Sequence, residues 1–208
     1  MLKISLYRRL STVYKIIGSN FGQWVSPIIV FVLISILRLF ISIFMFIDHF
    51  IFFRLNKIKI SKPIIIVGNP RSGTTFLQRF LVKNNFGKGS QLWQMIYPSI
   101  ILQKFLKPIL PVLEFISPAK HHSTEAHKTS LTSVETDDVG MLFRFFDGFF
   151  LYGFFLSWSK NDLFDWVDPK LRDNSDRDYR WLESVWKRIL VSSKEDRVVA
   201  KLFSVSAN

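Results

Sequence analysis

Between Ile28 and Ile47, 17 of 20 residues are apolar, the exceptions being Ser35, Arg38 and Ser42. Coiled as a helix, such a run is about 30 Å long, the thickness of a bilayer's hydrocarbon core, and it predicts a membrane-associated helix. Its apolar residues favour insertion by about 5 to 10 kcal/mol, against about 2.5 to 3.5 kcal/mol lost to an arginine at mid-helix. Arg38 is nevertheless as far from either end as it can be. A helix lying in the interface, or a re-entrant pair of half-helices, lets such a residue reach headgroups. The plainer alternative is a buried core helix, although core helices seldom run this long without polar relief. A secretory signal does not fit, because its apolar part would begin earlier and no small-residue cleavage pattern follows.

Charge is distributed accordingly. Residues 1–62 hold nine basic groups and one acid, Asp48, a net +8, whereas residues 63–208 hold 19 basic and 15 acidic groups, a net +4. Basic residues beside an apolar run suit an anionic leaflet, at about 1 kcal/mol each. A nucleic-acid binder would spread them along a presented face, so nucleic acid is not an expected partner. Basic flanks on both sides leave the orientation open. The division expected is an anchor over 1–62 and a folded body over 63–208. A hydrophobic content of 49% excludes a disordered chain, and the absence of cysteine excludes disulfides, thiol nucleophiles and Cys-based metal sites.

The body opens with Pro63-Ile64-Ile65-Ile66-Val67, a short β-branched run that predicts a buried parallel strand. Gly68-Asn69-Pro70-Arg71-Ser72-Gly73-Thr74-Thr75 follows, and then apolar residues at 76, 77, 80 and 81 with helical spacing. Strand, glycine loop and helix in that order describe an anion-binding loop, in which backbone N–H groups and a helix N-terminus converge on one charge. The spacing is that of G-x-x-x-x-G-K-[ST], with Thr74 in place of the lysine that holds β- and γ-phosphates in an NTPase. A P-loop nucleotide or small-molecule kinase is therefore the weaker of two enzyme readings.

Pro63 to Leu77 resembles the phosphosulfate-binding loop of sulfotransferases, in the bacterial-type, often membrane-associated branch that reads Pro-Arg-Ser-Gly-Thr-Thr. Looser likeness continues in Gln91-Leu92-Trp93-Gln94 with Pro98, in Leu106-Lys107-Pro108 and in Ser133 to Asp138, spanning roughly residues 20–160. The resemblance implies an α/β fold, a P-loop-like parallel sheet covered by helices. It implies transfer of a sulfuryl group from 3′-phosphoadenosine-5′-phosphosulfate (PAPS) to a hydroxyl or amine of an acceptor, a lipid-like one included, with no metal. By position, Arg71, Ser72, Gly73, Thr74 and Thr75 would hold the phosphosulfate, Arg71 also balancing charge in the transition state. Lys201, ending a second strand expected over 197–204, would be a further nucleotide contact. PAPS being cytosolic, the catalytic part is expected on the cytoplasmic side in a bacterium.

The acceptor's base is less defined. Relatives carry a glutamate just after the first helix, where this chain has Gln91. His122 lies in the cluster His121-His122-Ser123-Thr124-Glu125-Ala126-His127, whose spacing matches no zincin motif and reads first as a polar loop. The sharper reading makes His122 a base candidate, an imidazole being suited to that role near neutral pH. Glu135, Asp137 and Asp138 open an apolar helix that includes Val139, Met141, Leu142 and Phe143. Acids in its first turn complement the helix dipole, and Thr132 with Glu135 has capping-box spacing. Glu135 and Asp138 remain base candidates through the resemblance. Nine of the 18 residues from Met141 to Trp158 are aromatic, as a core or an acceptor pocket would be. Asn174 or Ser175 caps an amphipathic helix with Leu182, Val185, Trp186, Ile189 and Leu190 on one face. The family's 3′-phosphate residues fall beyond residue 208, and Arg197 and Ser204 do not replace them, so the chain reads as the N-terminal part of such an enzyme. A non-catalytic membrane protein keeping a vestigial anion loop is the alternative of a different class.

Overall fold

The computed structural model describes residues 3–68, 72–117, 129–193 and 195–203. They form α1 (Leu6–Phe21), α2 (Ser26–Ile51), β1 (Ile64–Val67), α3 (Thr74–Lys83), α4 (Leu92–Ile96), α5 (Ile100–Leu106), α6 (Leu110–Ile116), α7 (Val139–Phe145), α8 (Phe149–Phe154), α9 (Ser175–Ser193) and β2 (Val199–Leu202). The described residues are thus mostly helical, with one parallel sheet of two strands. Both expected strands are present and pair with each other, but the sheet goes no wider among the described residues. The apolar run forms a 26-residue helix, long and apolar enough to cross a membrane.

Two compact units share the chain. One takes the segments up to Phe40, Asp138 to Tyr179, and Phe203; the other takes Ile41–Asp137 and Arg180–Leu202. α2 is shared between them, its first part belonging to one unit and its second part to the other.

In the first unit, Ser5 accepts from the Arg8 amide to start α1, and Gly22, at φ 66°, ends it in the left-handed conformation. Val13 and Ile16 of α1 pack with Leu142, Phe146, Leu151, Leu156 and Val167. Of the aromatic stretch, Phe146 is buried in this core with Phe150, Tyr152 and Phe155 partly buried against it, whereas Phe154 and Trp158 are exposed. Phe31 of α2 meets Phe146 edge-on at 5.6 Å, and Phe146 packs on Phe155. Arg38 points into this unit, donating to the carbonyls of Phe143 (2.5 Å) and Leu142 (3.2 Å) at the C-terminal end of α7, where a cation is favoured. Buried Asp147 gathers Arg9 at 2.5 Å, Arg172 at 2.6 Å and Arg177 at 3.0 Å. Burial alone would raise its pKa, but Arg172, Arg9 and Arg177 together hold the carboxyl below the ordinary aspartate range.

In the second unit, β1 and β2 run parallel in register from Ile64 opposite Val199 to Val67 opposite Leu202. β2 is wholly buried, while Ile65 and Val67 of β1 are 41% and 57% exposed. Ile41, Met45 and Asp48 of α2 are buried here. Asp48 accepts from the Ser99 hydroxyl (3.1 Å), the Ile100 and Ile101 amides (3.0 and 3.1 Å) and Arg188 Nε (3.0 Å). One carboxylate thereby satisfies amides that open α5 and neutralises a buried arginine of α9. The stripe predicted on α9, Leu182 to Leu190, is buried as its spacing requires. The stripe predicted on α3 is not: Phe76, Leu77 and Phe80 are exposed and Gln78 is the fully buried residue of that helix.

Candidate functional site

The site is built where β1 turns into α3. Gly73 has φ 79°, a left-handed conformation that side chains rarely adopt, and α3 starts at the next residue. Gly68 is crowded in a different way: a Cβ there would stand 2.8 Å from Thr74 Cγ2 and 3.0 Å from Ser72 Oγ, so those two side chains would have to turn away from it. The loop so shaped delivers Thr74 and Thr75 into the first turn of α3, whose leading amides have no partner within the helix. Asn69, Pro70 and Arg71 lie outside the described residues, as does His122.

From the neighbouring strand, Lys201 Nζ donates to Thr75 Oγ1 at 2.6 Å. Lys201 is buried and its backbone is fixed on both sides. Its N–H donates to Asp137 Oδ2 (3.0 Å), and its carbonyl accepts from the Asp137 amide (3.0 Å) and the Thr136 hydroxyl (3.0 Å). Asp137 Oδ1 in turn accepts from Ser90 Oγ at 2.5 Å and Trp186 Nε1 at 2.8 Å. A buried carboxylate thus ties β2, α9 and the segment before α4 together, and through β2 it sets where the Lys201 ammonium stands.

α3 is fastened by polar groups. Gln78 Nε2 donates to the Val199 carbonyl at 3.2 Å and sits 3.5 Å from that of Glu135. Arg79 donates to the Val134 carbonyl (3.2 Å) and pairs with Glu135 at 2.6 Å, and Glu135 also accepts from Ser133 Oγ at 2.8 Å. The capping box expected at Thr132 and Glu135 is therefore not formed. α7 begins later, at Val139, and Glu135 is drawn instead to the arginine of the loop helix, a charge-assisted bond that a helix amide does not match. An N3-type side chain does cap α4, where Gln94 Oε1 accepts from the Gln91 amide at 3.1 Å. Asp138 belongs to the first unit, where its carboxylate accepts from the Phe203 amide.

Of the residues singled out in the sequence, the structure brings Thr75 and Lys201 into contact, places Ser72 and Gly73 just before α3 and Thr74 at its first position, and gives Glu135 to Arg79. Sequence reasoning missed Gln78 and Arg79, because polar residues of an amphipathic helix read as solvent-facing. Asp137 was visible as one of three clustered acids, but its partners Ser90, Trp186 and Lys201 are 47, 49 and 64 positions away. Chemically, a buried ammonium, a threonine hydroxyl and a helix N-terminus reached through a glycine turn make an arrangement suited to an anion. No family model, curated protein or solved structure matches the chain.

Proposed function

We propose that the loop Gly68–Thr75 and Lys201 form the phosphosulfate side of a PAPS-dependent sulfotransferase site, in a protein that works at a membrane with that site on the cytoplasmic face. β1, the loop, α3 and β2 are then the opening portion of a P-loop-like parallel sheet. One observation carries the reading: Lys201 Nζ on Thr75 Oγ1. The two residues are 126 positions apart, and both belong to the same nucleotide in the family that the loop resembles. The donor supplies a sulfuryl group whose S–O bond to the 5′-phosphate breaks as the acceptor's oxygen or nitrogen bonds to sulfur, and the acceptor's O–H or N–H proton passes to solvent water. The chain's part is positioning and charge balance. Amides at the start of α3 and the Thr74 and Thr75 hydroxyls orient the oxyanion. Arg71 and Lys201 offset the charge that collects on the departing phosphate. Glu135, held by Arg79, acts in this reading as a fastener of the loop helix rather than as the base.

The test is thermal stabilisation of the detergent-purified chain by adenosine 3′,5′-bisphosphate, with 5′-AMP and ATP–Mg²⁺ as comparators. A ligand at 100 times its Kd adds about 2.7 kcal/mol to the folded state. Stabilisation by the bisphosphate that is lost in Lys201→Met is the expected result, and selectivity over 5′-AMP would add that a 3′-phosphate pocket also lies within this chain. A preference for ATP–Mg²⁺ would favour a kinase, and no response to any of the three would make the loop a relic.

A further inference from the structure

The burial pattern of α2 divides it into two stripes. Facing the folded chain are Phe31 and Arg38 in the first unit, and Ile41, Met45 and Asp48 in the second. Facing away are Ile29, Val32, Leu33, Ile36, Leu39, Ile43, Phe46 and Phe50, each roughly half exposed or more, with Leu39 and Phe46 at 65%. Ser35 and His49 are exposed as well, Ser35 with its hydroxyl turned back onto the Phe31 carbonyl at 2.7 Å, and the apolar exposure continues at either end into Trp24, Val25 and Phe53. A helix that crosses a bilayer is apolar all round or meets other apolar helices. This one is held along one side by polar contacts that a hydrocarbon core does not tolerate.

The second unit makes the conflict concrete. Arg188 reaches both Asp48 and the Met45 carbonyl (2.8 Å), so α9 lies beside the second part of α2. One turn earlier, α9 carries the partly exposed ion pair Glu183–Lys187 at 2.9 Å. Asp48 also holds the amides that open α5. If α2 spanned a membrane, these groups would be carried to the depth of its last turns. In the first unit, Arg38 would take the end of α7 to mid-bilayer.

We infer that α2 does not cross the membrane but lies flat in its interface, with the outward stripe among the acyl chains and both flanks on one side. The occupant of the face is an anionic lipid surface. Lys3, Arg8 and Lys15 before α2, and Arg54, Lys57, Lys59 and Lys62 after it, are all exposed, and the one acid in residues 1–62, Asp48, is buried on the opposite stripe. Basic groups at both ends leave a spanning helix without an orientation, yet they fit a helix whose two ends meet the same leaflet. Arg38 needs no headgroup, because α7 supplies its acceptors.

This inference rests on the membrane association proposed above, and one experiment separates the two. The chain has no cysteine, so Lys15→Cys and Lys57→Cys, each alone in the full chain, report on one flank apiece. The variants are expressed in a bacterium and treated with an impermeant maleimide in sealed membranes of one orientation. The expected result is that both flanks behave alike: labelled in inside-out membranes, protected in right-side-out cells. Labelling of one flank with protection of the other would overturn the flat placement while leaving membrane association intact. Recovery of the unmodified chain in the soluble fraction, as a monomer or as a dimer closed over this face, would overturn both. Leu33→Glu with Ile36→Glu, at outward positions that leave the inner stripe untouched, should release at least tenfold more protein into the soluble fraction. Retention of that variant on membranes would equally overturn the assignment.

Discussion

α9 turns its apolar stripe inward, with Leu182, Val185, Trp186, Ile189 and Leu190 all buried, whereas α3 leaves Phe76, Leu77 and Phe80 exposed and buries Gln78. Both helices announce amphipathic spacing in the sequence. They differ in what is available to cover them. α9 runs against folded chain and is also anchored by charge, through Arg188 on Asp48 in the second unit and Arg177 on Asp147 in the first. α3 rests on a sheet of two strands, about 5 Å apart and hence no wider than one helix. That seat is taken up by Gln78 on the Val199 carbonyl and by Arg79 on residues 134 and 135. Periodicity specifies that a helix has two faces; the neighbours decide which face is buried.

The largest effect should come from breaking the anchor of α9. Asp48→Ala leaves Arg188 buried without its carboxylate and the α5 amides without their acceptor, a loss of about 3 to 5 kcal/mol. For a chain of this size each kcal/mol lowers Tm by about 2 to 4 °C. A drop of about 6 to 20 °C by calorimetry is therefore expected. A change within experimental error would mean that α9 is held by its apolar stripe alone.

The other end of α9 should show itself in acid. The folded-state pKa of Asp147 lies below its unfolded value, so its contribution is present above the unfolded value and is lost as pH falls through the folded one. Asp178 works in the opposite sense. Burial raises its pKa despite Arg177 and Arg172, so its contribution is present in acid and is lost as pH rises through its folded value. Stability measured by urea melts should fall below about pH 4, and more steeply than in Asp147→Asn, which is weaker at neutral pH but flatter in acid. Parallel profiles for the two proteins would show that the guanidinium cluster does not govern the acid limb.

How much was legible follows the same division between local and distant. α2, β1, α9 and β2, and the start of α3 at the second loop glycine, are set by local spacing, and each falls within a few residues of its expected place. Of the loop, Gly73 takes the positive φ that favours glycine, and a Cβ at Gly68 would crowd Thr74 and Ser72. Pairings between distant residues were not legible. Asp48 finds Arg188 at a separation of 140, and nothing local marks either residue. Glu135 illustrates the failure well: the local rule offered it a helix cap three residues from Thr132, but an arginine 56 positions away was the stronger partner.

A smaller loss tests whether the polar seat of α3 is a requirement or a default. Gln78→Leu keeps the volume but removes the donor to the Val199 and Glu135 carbonyls, leaving buried acceptors unmet at about 1 to 3 kcal/mol. The same change should weaken bisphosphate binding by displacing Thr75 from Lys201. A stabilised Gln78→Leu would mean instead that α3 had room for an apolar contact all along.

The smallest effect should be at the exposed stripe. Phe76 is 76% exposed, and its ring stacks on Phe80 of the same helix at 6.4 Å. Phe76→Ser therefore removes little buried area, and surface changes of this kind fall within about 0.5 kcal/mol. Unchanged Tm with reduced self-association in detergent-free buffer is the expected pair of results. A loss of several degrees would instead show that Phe76 is covered in solution. The natural cover would be apolar surface beside Ile65 and Val67 of β1, which are exposed in the same unit. The contrast with α9 would then be one of partner rather than of principle, since α3 too would bury the face that its spacing marks out.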